Sequence, residues 1–283
     1  MKFEVSSELK YEVRMPTTFI FNIQAARTSS QTVIEEKLIT DPPLKLEEFT
    51  SSTGEARFIK LQVPKKINFT IAYRAVVDLH YNVINQQKLL NTVPVIKLDA
   101  DVIPYLFPSR YCQSDKLQKL ATKEFGDIEN AYAKVSAINE WIYNNVEYLG
   151  GVTNSSTSAH DTLTERVGVC RDFAHLGITL CRALSIPARY FTAYAYDLKP
   201  PYFHACFEAY IGGEWIFFDP TKLVPANGLI KIANGRDAAD AAVASIFGNT
   251  GCISMEVKCE SIDPGFKPFY MHNTENQKGV SYQ

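Results

Sequence analysis

The sequence predicts an α+β protein in two parts: an antiparallel β-sandwich over residues 1–98, then a unit over residues 99–283 in which helices precede an antiparallel ribbon. Three observations carry this. The first hundred residues alternate polar and apolar positions with a period of two. Near residue 112 the spacing of apolar residues changes to three and four. Further on, a Gly-Gly step separates two aromatic and apolar runs, which signals a hairpin.

Taken in order, Lys10–Val13, Thr18–Ala25, Thr32–Thr40, Ala56–Val63 and Ile67–Val83 read as strands separated by Pro, Gly, Ser and Asn clusters. Strands at such spacing, with no helical pattern between them, suggest a sandwich. His80, in the last of them, is expected to be structural. Residues 99–112 contain two prolines and bridge the two parts. Asp115–Phe125 and Ile128–Val146 are expected to be amphipathic helices; the second carries Ala131, Val135, Ile138, Trp141 and Ile142 on one face. Residues 149–168 are rich in Gly, Ser and Thr and read as a loop that shapes whatever follows.

Composition narrows the function classes. The chain has 283 residues, 46% hydrophobic and 21% charged, with a formal net charge of −2. That balance is globular and gives no sign of a nucleic-acid partner. No run reaches the 18 apolar residues of a membrane span. The first residues, MKFEVSSELKYEV, show no apolar secretory core. The expected location is therefore the cytoplasm, where the six cysteines stay reduced. No two of them form a CxxC pair, and no disulfide framework is expected.

One thiol stands out, in GVCRDFAHL. From Cys170, the residues Phe173, Gly177, Leu180, Cys181 and Leu184 fall on one face of a four-turn helix, which Pro187 ends. Cys170 thus opens the helix beside its buried face. Unpaired N–H groups and the positive end of the dipole favour the nucleophilic thiolate at such positions, and the same N–H groups can face an oxyanion. Asp172 suits the first turn. His175 lies about 140° round the helix from Cys170, so it is read as a packing histidine.

The base is expected on the hairpin Tyr202–Thr221. With a two-residue loop at Gly212-Gly213, Ile211 pairs with Glu214 and Cys206 with Asp219. Asp219 then lies diagonal to His204 on the same face, about 7–8 Å away across the ribbon and within reach of longer side chains. A carboxylate there can hold one imidazole nitrogen and leave the other free, the base-and-orienter half of a nucleophilic triad. A one-residue slip would move Asp219 to the other face.

These residues resemble the transglutaminase-like superfamily of papain-related cysteine enzymes, above all its bacterial branch. The likeness lies in the G-x-C-x-D-x-A-x-L helix start, the H-A before a glycine turn and the D-P-T after it. PYLFPSRYCQSD and NGRDAADAAVASIFG extend it, so that it covers roughly residues 5–260. The resemblance implies a papain/transglutaminase-like catalytic core, with Cys170 as nucleophile, His204 as base and Asp219 as the orienting carboxylate. Many relatives have tryptophan after H-A, where this chain has Cys206.

The expected activity is thiol-dependent acyl transfer on a peptide or protein amide, with water as acceptor and with no cofactor or metal. Alternatives are a transglutaminase passing the acyl group to an amine, a zinc site built on Cys170, Cys206, His204 and Asp219, and a non-catalytic interaction module. No CxxC or HxxxH spacing supports zinc, no acidic run resembles a calcium loop, and all three triad positions are filled.

Overall fold

Alternation in the first strand reappears residue by residue as burial: Phe3, Val5, Ser7, Leu9, Tyr11 and Val13 point inward, and their neighbours face outward. The computed structural model describes residues 1–51, 56–271 and 278–283. Six strands come first: β1 (Lys2–Val13), β2 (Thr17–Phe21), β3 (Gln31–Asp41), β4 (Glu47–Thr50), β5 (Arg57–Val63) and β6 (Ile67–Leu79). The short β7 (Asn82–Ile84) and the single turn α1 (Gln86–Leu89) lead out of them.

The second part runs α2 (Ser114–Phe125), α3 (Ala131–Asn145), β8 (Glu147–Tyr148), α4 (Ala159–Glu165), β9 (Val167–Gly168) and α5 (Cys170–Ala183). Then come β10 (Ala188–Ala195), β11 (His204–Ile211), β12 (Glu214–Phe218), β13 (Leu229–Gly235) and the turn α6 (Ala238–Ala241). The last strands are β14 (Ala244–Phe247), β15 (Thr250–Ser261) and β16 (Gly279–Ser281).

Two four-stranded sheets, ordered β15-β1-β6-β3 and β14-β2-β5-β4, form the sandwich. Their inner faces meet through aromatic rings. Phe19 of β2 lies 5.2 Å from Tyr11 and 5.5 Å from Phe69, between centroids. Here the chain departs from a division after residue 98, because β14 pairs with β2 and β15 pairs with β1 along nearly its whole length. The sandwich is completed by residues from the far end of the chain. Alternating polarity marks a strand but does not name its partner.

A third sheet, β12-β11-β10-β13, carries the second part. Helix α5 lies on it and is itself covered by α2, α3 and α4. Every residue from Asp172 to Arg182 is buried, as expected of a helix enclosed on all sides. The loop expected over 149–168 holds two small elements: α4 and the strand β9, which pairs in parallel with β8. The carboxylate of Asp161 starts α4 by accepting from the Ser158 N–H at 2.9 Å, the capping-box arrangement.

Helix and sheet approach closely at Gly177. A Cβ there would lie 2.5 Å from the buried Phe207 ring. On an exposed helix, Gly→Ala gains about 0.5–1 kcal/mol. Gly177→Ala is instead expected to destabilise the protein, by about 1–3 kcal/mol through overpacking, and Phe207→Leu in the same chain should recover part of the loss. Denaturant melts of the parent and the two variants test this; a stabilised Gly177→Ala would refute the close approach.

Candidate active site

The first turn of α5 is tied down from several sides. Val169 donates its N–H to the Asp172 carboxylate at 3.0 Å, which satisfies one of the orphan donors of a helix start. The Arg171 guanidinium also bonds Asp172, at 3.2 Å, reaches the carbonyl of Asn154 in the preceding loop, and lies over the Tyr111 ring. Cys170, partly buried, is the first residue of the helix proper.

The hairpin has the expected register. Ile211 faces Glu214, and Phe207 faces Phe218. Gly212 and Gly213 both have positive φ, 62° and 85°, as a two-residue type I′ turn requires. A Cβ at Gly212 would also collide with the Lys88 carbonyl. With this register, His204 Nε2 meets Asp219 Oδ2 at 3.1 Å. Asp219 is held in turn by Thr221, whose N–H and hydroxyl donate to Oδ1 at 3.0 and 2.7 Å. Lys222 anchors the same turn to α3 through Glu140, at 2.7 Å.

Both members of the pair are buried. Burial opposes a charge on His204, but the Asp219 carboxylate more than offsets it, and the ring's proton affinity is raised well above the ordinary value, with the Cys206 and Cys170 thiols adding to the effect. Burial likewise works against ionised Asp219, and the imidazolium and the Thr221 donors overcome it, so its pKa is lowered. Among the described residues His204 Nδ1 has no hydrogen-bond partner. The structure thus brings Cys170, His204 and Asp219 into one cluster: a thiol at a helix start, a ring with one nitrogen committed to a carboxylate, and the other nitrogen free for a proton.

His175 stands apart from this cluster. It is fully buried, stacks against Tyr111 at 5.0 Å and accepts from the Ala238 N–H at 3.1 Å. Burial lowers its pKa well below the ordinary value, which leaves a neutral packing residue. Two participants escape a reading of the sequence. Thr221 could have been found, because a hydroxyl two residues after an aspartate commonly closes an Asx-type turn. Tyr148, whose ring packs on Phe173 of the first turn of α5 at 5.7 Å between centroids, sits in a two-residue strand too short to show a period.

Comparison with known proteins decides the family. Residues 1–101 match the bacterial transglutaminase N-terminal domain, and residues 118–220 match the transglutaminase-like superfamily. A solved structure from Cytophaga hutchinsonii, described as a candidate cysteine protease, is 63% identical, superposes with a TM-score of 0.98, and the match covers 100% of this chain and 98% of that one. The chain belongs to the transglutaminase-like superfamily. Among curated relatives, an uncharacterised protein of Mycobacterium leprae is 32% identical over 136 residues, covering 44% of this chain and 48% of that protein. One of Mycobacterium bovis is 33% identical over 115 residues, covering 35% and 36%. The chain therefore matches about half or less of the length of these curated relatives.

In this transglutaminase-like protein the ion pair links stability to pH. The raised pKa of His204 contributes stability that is fully present below the ring's ordinary value of 6.5 and is lost as pH rises through the folded value. The lowered pKa of Asp219 contributes stability present above 3.8 and lost as pH falls through its folded value. Stability from the pair should peak between these limits. Asp219→Asn should cost about 1.5–3 kcal/mol near pH 6 and flatten the decline above pH 6.5. Urea melts across pH 4–9 check this; an unchanged alkaline slope would show that the pair is not ionised.

Proposed function

We propose that this member is a cysteine protease or amidase that cleaves peptide or protein amides through a thioester on Cys170. The observation that carries the reading is the Nε2–Oδ2 contact of 3.1 Å between His204 and Asp219, beside a thiol at a helix start. In this reading His204 Nδ1 takes the thiol proton, and Sγ adds to the carbonyl carbon. The tetrahedral species collapses, the C–N bond breaks, and the imidazolium gives its proton to the departing amine. Water then attacks the thioester with His204 as base, releasing the acid and restoring the thiol. Asp219 keeps the ring's orientation and its charge throughout.

Hydrolysis is favoured over amine transfer by kinship with the Cytophaga hutchinsonii protein. The cytoplasm is the location this reading proposes, on the sequence pattern of six cysteines with no CxxC pair.

The other thiols supply a contrast. Burial pushes Cys112 and Cys206 up to about 12 and raises Cys181 and Cys259 further, so these four stay protonated near neutrality. Cys252 is exposed but lies on a sandwich strand. Iodoacetamide at pH 7 should therefore label Cys170 first. Mass-spectrometric mapping that finds Cys252 labelled faster would count against an activated thiol at 170.

Cys170→Ala should lose at least 10³-fold in turnover while melting like the parent protein. A peptide library digested with and without a primary amine, read by mass spectrometry, identifies the acceptor: hydrolysed products in both arms are expected, and amine adducts would point to transglutamination instead.

A further inference from the structure

The two oxygens of Asp219 are held differently. Oδ2 faces His204 Nε2 at 3.1 Å. Oδ1 accepts twice from one residue, from the Thr221 N–H at 3.0 Å and the Thr221 hydroxyl at 2.7 Å. Pro220 between them has no N–H to offer, so the next backbone donor along the chain is that of Thr221. The Leu223 N–H donates in turn to Thr221 Oγ1 at 3.3 Å. A hydroxyl has one proton; with Leu223 on its acceptor side, that proton points at Oδ1. Both Asp219 and Thr221 are buried, where a hydrogen bond is electrostatically stronger than in water.

A backbone N–H alone would complete an Asx turn. The hydroxyl adds what the turn does not need. With two donors on Oδ1, the carboxylate cannot rotate about its Cβ–Cγ bond without giving up both. Oδ2 is thereby left to face the ring. An ionised carboxylate only accepts, so Nε2 carries the ring proton and Nδ1 keeps its lone pair. The tautomer matters: replacing the carboxylate of a nucleophilic triad by an amide costs about 10⁴-fold in rate for that reason.

We propose that Thr221 is a positioning residue whose hydroxyl fixes the Asp219 carboxylate and, through it, the tautomer and angle of the His204 ring. This rests on Cys170 being the nucleophile and His204 its base. In the step it serves, the S–H bond of Cys170 breaks and an N–H bond forms at His204 Nδ1. The protons on Nε2 and on the Thr221 hydroxyl stay where they are. Besides Asp219, the titratable groups that act on the ring are Cys170 from α5, Cys206 from β11 and Tyr148 from β8. Burial pushes Cys206 and Tyr148 up to about 12, so both keep their protons throughout the neutral range.

The test uses the full chain and iodoacetamide, with labelling of Cys170 followed by mass spectrometry from pH 6 to 9.5. Thr221→Val keeps the shape and removes the hydroxyl; Thr221→Ser keeps the hydroxyl and removes the methyl. Near pH 6.5, Thr221→Val should label about tenfold more slowly, the low end of the loss when an outer partner of a functional histidine is removed. Thr221→Ser should stay within threefold of the parent. The gap should close towards pH 9.5, where a thiol of ordinary acidity ionises without a base. By NMR, the downfield proton resonance of His204 Nε2–H should persist in Thr221→Ser and broaden or vanish in Thr221→Val. Parent-like labelling of Thr221→Val at pH 6.5, or an unchanged resonance, would overturn the assignment. So would a loss of equal size at every pH, or one that Thr221→Ser shares, because the residue would then matter for packing alone. If Thr221→Val does not fold, Thr221→Ala takes its place with the same expected pattern. Parent Cys170 that labels no faster than Cys252 at pH 6.5 would remove the activated thiol on which this inference rests; fast labelling in both the parent and Thr221→Val would remove only the role of Thr221.

Discussion

The contact between Gly177 and the Phe207 ring sets the distance between helix α5 and the sheet beneath it. The thiol sits at the helix start, and the imidazole at the start of β11. Neither side chain is long, so the spacing of the backbones decides whether they meet. Any side chain at 177 would lift the helix or turn the ring, and close-packed interiors transmit such shifts rather than absorb them. The other end of the helix is fixed as firmly. Arg182 donates to the carbonyls of Ala188, Phe107 and Arg236, at 2.8, 3.0 and 2.6 Å. One buried guanidinium thus ties the last turn of the helix to the strand that follows it, the junction segment and the loop after β13.

Charge is arranged around the site with the same economy. Four of the six thiols lie where burial keeps them protonated. One histidine is buried without a counter-charge and stays neutral. The other is buried beside a carboxylate and takes up a proton more readily. The two environments give the same side chain opposite titration behaviour. Cys206 is part of this setting: burial keeps its thiol protonated beside the His204–Asp219 pair.

Much of this was legible in the chain. The helix from Cys170 could be read because its face is continuous and Pro187 closes it. The hairpin register followed from two glycines, since a two-residue turn with positive φ at both positions leaves little choice of partner. That register alone put Asp219 against His204. What could not be read depends on distant or very short pairing. β15 alternates polar and apolar residues, but nothing local says that it joins β1, some 240 residues earlier in the chain. β8 and β9 contribute two residues each, below any detectable period, and they are what place Tyr148. α4 sits in a stretch whose composition is that of a loop, although the Ser158 and Asp161 spacing marks its start.

The return of the chain to the sandwich bears on the candidate site itself. Every residue of β10 is buried, so both faces of the sheet that carries His204 need a cover. Helix α5 supplies one. The sandwich supplies much of the other: the Tyr194 hydroxyl donates to the Ile23 carbonyl at 2.6 Å and meets Ser7 at 2.9 Å, while the Gln31 amide bonds both the N–H and the carbonyl of Lys231, at 2.8 and 2.9 Å. These are buried polar contacts, and removing the sandwich would leave their donors and acceptors without partners, at about 1–3 kcal/mol for each group. The strand that places the imidazole therefore depends on residues near the start of the chain, as the thiol depends on the packing of α5. The N-terminal part is the rear wall of the sheet that carries His204, and the candidate site lies between it and the helix.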